Sequence, residues 1–310
     1  MSHHGPHPLT PSPQCEEGER HTGGFALLAV LWVLTALTVL TGVALAVART
    51  GSQTTRNRIL LARAGWTREA CVEILRSSPP DPLSASRRGG TPVTVGPIDL
   101  GRGTWCAARL EDPAAKLNVH LADRDALVAV LAAVSPRQSV DSLVDALLDW
   151  RDPDNVARPN GIETQENRNG PLADVAELRY VRGFDSSVVA RLTGFLTTRG
   201  TGAINVNTAP REVVATLPGI SEEAIHVLLG RRMSGRPVQS ADELASLVSK
   251  SARSGLLAQY PEFVRAATFA PPQLIAVVEG GVEGTPIVAR ATLTLVPVPG
   301  RLAVIRRETE

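Results

Sequence analysis

An acidic stretch, LLDWRDPDN, carries the side chains with the clearest capacity for chemistry. It offers Asp149, Asp152 and Asp154, and Glu163 follows beyond a turn that contains Pro and Gly. Carboxylate oxygens at short, irregular spacing on a loop suit Ca²⁺, a hard cation that takes six to eight oxygen ligands. The spacing differs from that of an EF-hand loop. The sequence therefore predicts a calcium site of another type; the alternative is a helix end at Asp149 followed by a solvated turn.

Cysteine and histidine offer little further chemistry. Cys15 precedes a long apolar run and can be lost on processing. Cys71 and Cys106 are a candidate disulfide if the body lies in an oxidising compartment. The alternative is two unlinked cysteines, one on a helix and one on a strand. Neither His120 nor His226 stands beside a Ser or Cys nucleophile in a recognisable arrangement, so no enzyme is expected.

The overall composition indicates a globular body and argues against a nucleic-acid-binding surface. The 310 residues are 43% hydrophobic, which allows one to two folded units with a core. The formal net charge is +1 and aromatic residues make up 4%, so neither a basic surface nor a stacking platform is indicated. Trp150 and Tyr180 fall on helical spacing and are expected in the core.

The apolar run from Phe25 to Ala48 contains no charged residue. At 1.5 Å per residue it spans about 36 Å, enough to cross a hydrocarbon core of roughly 30 Å. It is longer than the apolar region of an ordinary cleaved signal, so a transmembrane helix is predicted at 25–48. The triplet Ala46-Val47-Ala48 leaves a cleaved secretory signal as the alternative. The arginines mostly follow the run, and counted alone they favour a cytoplasmic body.

The remaining pattern predicts an α+β fold. Residues 1–24 are rich in Pro, His and Gly and are expected to form a disordered leader. Helical spacing continues beyond the membrane segment, so one helix is predicted over 25–76. Strand-like stretches in 77–112 and 266–310 surround a helical block at 113–265. We therefore expect the long helix to pack on a small antiparallel sheet that closes when the C-terminus returns, with a large inserted all-α domain.

A faint repeat runs through the helical block. KLNVHLADRDALVAVL and AINVNTAPREVVATL share Asn-Val before an amphipathic helix, so that Asn118 and Asn205 correspond. Asn207 or Thr208 is predicted to cap the second of these helices. The repeat indicates two related halves; the alternative is two helix starts that use similar capping residues.

The segment Leu217-Pro218-Gly219-Ile220 resembles the helix-hairpin-helix of membrane-anchored DNA receptors of competence systems. Such a hairpin offers backbone N–H groups to a phosphate. Here Ser221 stands where that motif has a second glycine, and the two glutamates that follow it repel a phosphate. Membrane-anchored DNA binding is therefore the alternative function, and no nucleic acid is expected.

The junction Gly24-Phe25 before an apolar helix resembles the signal of type IV pilin-like proteins. The resemblance implies that a prepilin peptidase cuts after Gly24, that Phe25 is methylated, and that the helix stays as an inner-membrane anchor and packing stem. Most such subunits carry glutamate at mature position five, where this chain has Ala29. A chain without that carboxylate has none to offer to a neighbour's N-terminal amine, which suits the end of a filament.

The chain as a whole resembles the minor pseudopilin K family of type II secretion systems. The resemblance rests on the signal junction, Ala29 and the segments LLDWRDPDN, GPLADVAELRYVRGF and INVNTAPREVVATLPGI, in the family's order. It implies a discontinuous pilin-like α+β domain (77–112 and 266–310) and an inserted domain (113–265) of two helix-hairpin or SAM-like halves that binds calcium. It also implies a periplasmic body at the pseudopilus tip with minor pseudopilins I and J, which initiates or caps assembly for export across the outer membrane.

Overall fold

A computed structural model describes residues 23–77, 92–135, 139–164 and 167–309. Leader residues 1–22, with Cys15, and the segment 78–91 lie outside the described residues. The chain divides into two units, Met1–Ile59 and Leu60–Glu310.

The elements are named in chain order. The strands are β1 (Val93–Gly101), β2 (Thr104–Glu111), β3 (Leu117–Asn118), β4 (Leu196–Thr197), β5 (Ile204–Asn205), β6 (Ala267–Thr268), β7 (Leu274–Val282), β8 (Val288–Val298) and β9 (Arg301–Thr309). The α-helices are α1 (Gly23–Ser77), α2 (Arg124–Val134), α3 (Val140–Arg151), α4 (Ser186–Leu192), α5 (Arg211–Val214), α6 (Glu222–Met233), α7 (Ala241–Leu247), α8 (Lys250–Ala258) and α9 (Tyr260–Ala266). Short 3₁₀ helices lie at Pro113–Ala115 and Val175–Tyr180.

The first unit contains the apolar part of α1. The helix is continuous from Gly23 to Ser77, close to the bounds 25–76 expected from the sequence. Its apolar side chains are exposed, Phe25 at 82% and Trp32 at 74%. Its threonines donate their hydroxyls to carbonyls of the preceding turn, as Thr41 does to Leu37 O at 2.9 Å. Such bonds leave few polar groups without partners, which suits a helix in lipid.

The second unit is built on a five-stranded antiparallel sheet in the order β1-β2-β7-β8-β9. Alternate residues of a strand face the same side, so Cys106, Ala108 and Leu110 of β2 are all buried on one face. The last turns of α1 cover that face with Cys71, Val72 and Leu75. The predicted α+β fold with a long helix on an antiparallel sheet is confirmed.

An ion-pair network joins α1 to the edge strand β9. Arg307 Nη1 donates to Glu69 Oε2 at 2.8 Å, and Arg68 Nη2 donates to Glu69 Oε1 at 2.8 Å. The hydrogen bond from Arg307 is the largest influence; together with Arg68, and against the effect of burial, it lowers the pKa of Glu69 from 4.5 to about 2. The ionised carboxylate therefore stabilises the contact between helix and strand.

Glu69→Gln should lower the stability of the full chain by about 1 kcal/mol at pH 7, because the side chain is 37% exposed and solvent screens the pair. A depressed folded pKa contributes stability above the unfolded value of 4.5 and loses it as the pH falls towards about 2. Thermal midpoints of wild type and variant should therefore differ at pH 7 and converge over that acidic range. Glu73→Gln, whose carboxylate pairs with Arg76 on the same helix, is the matched control. A gap that is constant with pH would contradict the prediction.

The helical block has its own core and two similar halves. Each half starts and ends on a two-residue strand, and the two strands pair in parallel: β3 with β4, and β5 with β6. Asn118 Oδ1 accepts the N–H of His120 at 2.9 Å, and Asn205 Oδ1 accepts the N–H of Asn207 at 3.0 Å. The two asparagines thus make the same turn at the start of each half. Buried side chains of both halves join in one cluster, which includes Leu147 and Phe263.

Several local expectations for the block are wrong. Tyr180 was expected in the core, but it ends the 3₁₀ helix Val175–Tyr180 and is 60% exposed, with the Arg179 guanidinium 4.7 Å from the centre of its ring. Neither Asn207 nor Thr208 caps α5: the N-cap position is Pro210 and has no side-chain cap bond. Asn207 bonds to Val238 O and Phe269 O, so its side chain ties two distant loops together.

Candidate functional site

The residues expected at the processing site lie at the start of α1. Gly24, Phe25 and Ala29 all belong to its first turns. By length and hydropathy, Phe25–Ser77 is long and apolar enough to cross a membrane, and its apolar stretch has no buried residues. The sequence places no carboxylate between Phe25 and Glu69. This stretch of α1 therefore has no acidic group of its own to pair with an amine.

Asp149 is the centre of the acidic loop. It lies near the end of α3 and is completely buried. The backbone N–H of Arg158 donates to its two oxygens at 3.2 and 3.3 Å, and Arg158 Nη1 donates to Oδ1 at 2.9 Å. Gly161 packs against the same carboxylate, because a Cβ at that position would lie 1.9 Å from Oδ2. The loop after α3 is therefore folded directly onto Asp149.

Arg158 also pairs with Asp152, the residue that follows the helix. One guanidinium nitrogen, Nη1, thus contacts both aspartates. Asp145 lies one helical turn before Asp149 and makes a second contact with the loop. Asn160 Nδ2 donates to Asp145 Oδ2 at 3.0 Å, and Arg124 Nε donates to Asp145 Oδ1 at 3.0 Å. Acidic residues on one face of α3 therefore hold the returning loop at two points.

Asp154 and Glu163 take part in the loop in different ways. Asp154 Oδ1 accepts the N–H of Val156 at 2.8 Å, which is a local turn. Glu163 Oε2 accepts a bond from Asn167 Nδ2 at 3.1 Å. Burial raises the pKa of Glu163, and the negative charges of the three nearby aspartates raise it further. The four predicted ligands thus share one electrostatic environment.

The fit of this loop to a hard cation is partial. Three buried oxygens have no hydrogen-bond partner: Asp152 Oδ1, Glu163 Oε1 and Asn169 Oδ1. Oxygens of this kind are the ligands that Ca²⁺ prefers, and buried polar atoms rarely stay unpaired. Among the described residues, however, no group of three or more His, Cys, Asp or Glu side chains converges on one metal position. The donor chemistry suits calcium, whereas Arg158 lies between two of the predicted ligands.

Sequence reasoning named the acids and missed the groups that pair with them. Arg158, Asn160 and Asn167 follow the acidic stretch within the RPNG and ETQEN segments. Asparagines and an arginine next to a run of aspartates were the available signal, since both side-chain types donate to carboxylates.

The two candidate disulfide cysteines are adjacent in the structure. Cys71 of α1 and Cys106 of β2 form a disulfide with Cα atoms 5.8 Å apart, and both are completely buried. The bond links the helix to the sheet on which it packs. Its formation in the cell stays a prediction, because it depends on the compartment.

The hairpin that resembles a DNA-binding motif is packed against the protein. Gly219 has φ +67°, and a Cβ there would lie 2.9 Å from the carbonyl oxygen of Gly255 in α8. Ser221 caps α6 by accepting the N–H of Ala224 at 3.2 Å. Glu222 pairs with Arg211, and Glu223 accepts bonds from Ser249. A phosphate would have to approach this turn past α8 and two carboxylates, so the geometry does not favour the DNA-binding alternative.

Comparison with known proteins adds two findings. The family model for type II secretion system protein K matches residues 110–200, which cover the first half of the helical block. A chain of the crystal structure of the GspK-GspI-GspJ complex from the enterotoxigenic Escherichia coli type 2 secretion system has a similar fold, with a TM-score of 0.52 and 18% identity. The match covers 84% of this chain and 99% of that chain. No curated protein matches the chain. Residues 110–200 are therefore similar to protein K of the type II secretion system, and the fold of the chain is similar to that of a chain of the GspK-GspI-GspJ complex.

Proposed function

We propose that this chain is a minor pseudopilin at the tip of the type II secretion pseudopilus, in complex with minor pseudopilins I and J. There it initiates or caps assembly for protein export across the outer membrane. Ala29 carries the proposal. In an apolar filament core, a charged amine needs a carboxylate partner, and an unpaired charge costs several kcal/mol. A chain with alanine at that position suits the end of the filament, where no neighbour requires the carboxylate.

The size of the helical block supports the same position. It extends from Pro113 to Thr268 and has its own core. A body enlarged in this way is hard to accommodate in the interior of a filament, whereas the tip leaves space around it. The chain acts as a structural component, and the prepilin peptidase is its processing partner.

Helix α1 and the two cysteines support the proposed location. The chain is a single-pass protein of the inner membrane with its body in the periplasm. The exposed apolar helix supports a membrane anchor, and the buried pair Cys71 and Cys106 suits an oxidising compartment.

Calcium is the proposed ligand of the acidic loop. Asp149, Asp152, Asp154 and Glu163 would hold it, and the unpaired oxygens of Asp152 and Glu163 are the observation in its favour. The ion supplies positive charge and links the loop to α3 when bound. The chain's own residues then keep the helical block in one conformation for contact with its partners.

The mature N-terminus should be N-methyl-Phe25. Intact-mass measurement of the protein purified from membranes should show a chain that begins at Phe25 and carries one added methyl group. Gly24→Val should leave the leader attached, because a β-branched side chain next to the cut hinders entry of the backbone into the protease site. Gly42→Ala is the control within the same helix, where no atom lies within 4 Å of the added Cβ. A mature chain that starts at Arg49 would identify a signal-peptidase substrate and contradict the proposal.

If the chain lies at the tip, each pseudopilus should contain few copies of it, and all of them should be at one end. Isolated pseudopili labelled on this chain should show the label at one end, and the chain should copurify with minor pseudopilins I and J. Labels repeated along the shaft would contradict the proposal, because a chain with Ala29 has no carboxylate to pair with the N-terminal amine of a neighbour in the shaft.

A further inference from the structure

We propose that three arginines of α1 bind the phosphate groups of anionic phospholipids at the point where the helix leaves the membrane. These juxtamembrane arginines are Arg49, Arg56 and Arg58, all in the first unit of the chain. The inference rests on the membrane anchor proposed above and adds a lipid partner to it.

Charge distinguishes this part of α1 from the rest of the helix. Residues 49–58, RTGSQTTRNR, follow directly after the apolar run, and all ten are exposed. They contain three arginines, whereas the first acidic residue after Phe25 is Glu69. The segment is therefore a purely cationic surface beside an apolar helix, which matches the negative charge of anionic headgroups.

The polar groups of the segment differ in what satisfies them. Thr50 Oγ1 donates to Ala46 O at 2.9 Å, and Thr54 Oγ1 donates to Thr50 O at 2.8 Å, so these hydroxyls bond within the helix. Over the part of the chain that the structure describes, the juxtamembrane arginines make no hydrogen bond or ion pair through their side chains. Each guanidinium offers five N–H donors, which require acceptors from outside the chain.

The position of the arginines along the helix matches the headgroup layer. A bilayer has about 5 to 8 Å of headgroup region on each side of its hydrocarbon core. Arg49 comes directly after the apolar run and so lies in that layer. Arg56 and Arg58 follow about 11 and 14 Å further along the helix. Their long side chains reach back towards the headgroups, whose field extends about 8 Å into water at physiological ionic strength.

The distribution of charge around the helix favours lipid over a protein partner. Arg49 and Arg56 are seven residues apart, which is close to two turns, so they lie on one side. Arg58 follows Arg56 by two residues and lies on the opposite side. A neighbouring helix contacts one side only, whereas headgroups surround a membrane helix. Cations on two opposite sides therefore fit a layer of lipid phosphates better than the acidic face of a partner.

The experiment measures which lipid contacts the chain. The full chain is reconstituted in phosphatidylcholine bilayers with a trace of spin-labelled phosphatidylglycerol or spin-labelled phosphatidylcholine, and EPR spectra give the fraction of each that the protein immobilises. Wild type should bind phosphatidylglycerol about fivefold more strongly than phosphatidylcholine, the effect expected of one arginine on a lipid at the surface. The preference should disappear at about 1 M NaCl, where the screening length falls to about 3 Å.

Three variants test the assignment. Combined substitution of the juxtamembrane arginines by glutamine should abolish the preference, and their combined substitution by lysine should retain it, because lysine keeps the charge. The matched control removes three charges from exposed positions of the second unit and should keep the preference; it combines Arg102→Gln, Arg236→Gln and Arg301→Gln.

The outcomes are distinct. A wild-type chain without the preference, a glutamine variant that keeps it, or a lysine variant that loses it would each overturn the lipid proposal. A control variant that loses it would also do so, because the cause would be general charge. A glutamine variant that keeps the preference but no longer copurifies with minor pseudopilins I and J would identify a protein partner instead. A chain that does not insert into phosphatidylcholine bilayers at all would refute the membrane anchor itself, since insertion of the apolar run requires no anionic lipid.

Discussion

Replacing Gly280 by alanine is expected to push α1 off the sheet and to lower the free energy of unfolding by about 3 kcal/mol. Gly280 lies in β7 beneath the helix. A Cβ there would lie 2.3 Å from the amide nitrogen of Arg68 and 2.6 Å from the carbonyl oxygen of Ala64. Both are backbone atoms, so no side-chain rotation relieves the clash and the helix itself must move.

The disulfide gives a second measurement for the same variant. Cys106 lies directly opposite Gly280 in the ladder between β2 and β7, and Cys71 reaches it from α1. A helix displaced at Gly280 separates the two cysteines. The variant, purified as the full chain, should therefore show a lower thermal midpoint and a higher content of free thiol than wild type.

Gly65→Ala provides the control on the helix side. It makes the same chemical change on α1, and nothing lies within 4 Å of the added Cβ. Because alanine favours a helix over glycine by about 1 kcal/mol, this variant should be as stable as wild type or slightly more so. A Gly280→Ala protein with unchanged midpoint and no extra free thiol would show that the helix does not depend on this close approach.

Much of the fold could be predicted from local sequence patterns. Strand-like stretches were expected in 77–112 and 266–310, and all five strands of the large sheet lie within these two ranges. The insertion was visible because a helical block separates the two groups of strands. The Asn-Val repeat was informative as well, since Asn118 and Asn205 make equivalent turns.

What could not be predicted depends on contacts between distant residues. Helices α8 and α9 lie in the predicted helical block, but their bounds were not predicted, because each buries a single residue, Leu256 or Phe263. Tyr180 was assigned to the core on helical spacing, but a 3₁₀ helix changes which side chains share a face. The acidic loop shows the same limit: spacing reveals the carboxylates, whereas the pairing of Asp149 with Arg158 appears only once the loop has folded back.

Asp112 illustrates such a distant contact, and its loss should be the second large effect. It follows β2, where the chain leaves the sheet, and is only 4% exposed. Its Oδ2 accepts bonds from Asn205 Nδ2 at 2.8 Å and Thr208 Oγ1 at 2.7 Å, and its Oδ1 accepts the N–H of Ala114 at 3.0 Å. Because β5 pairs with β6, which leads back into β7, Asp112 links the point where the chain enters the helical block to the strand pair through which it returns to the sheet.

Asp112→Ala should lower the free energy of unfolding by about 3 kcal/mol, since it leaves three donors without their acceptor in a buried site. Asp123→Ala is the matched control, because Asp123 also caps a helix, by accepting the N–H of Ala126 at 2.8 Å, but on the surface. That variant should lose about 1 kcal/mol. Equal losses in the two variants, measured by thermal unfolding of the full chain, would show that Asp112 acts as an ordinary cap.

The pH dependence of stability distinguishes the contribution of Asp112 as a hydrogen-bond acceptor from the effect of its charge. Burial raises the pKa of Asp112 above its usual 3.8, against the bonds from Thr208, Asn205 and Ala114, which lower it. A raised folded pKa gives stability that is complete below 3.8 and is lost as the pH rises through the folded value. Asp112→Asn keeps one acceptor oxygen and cannot ionise. The variant's free energy of unfolding should therefore be lower than that of wild type by an amount that shrinks as the pH rises from below 3.8 to neutrality. A difference that grows with pH would mean that the ionised carboxylate is the form that holds the block to the sheet.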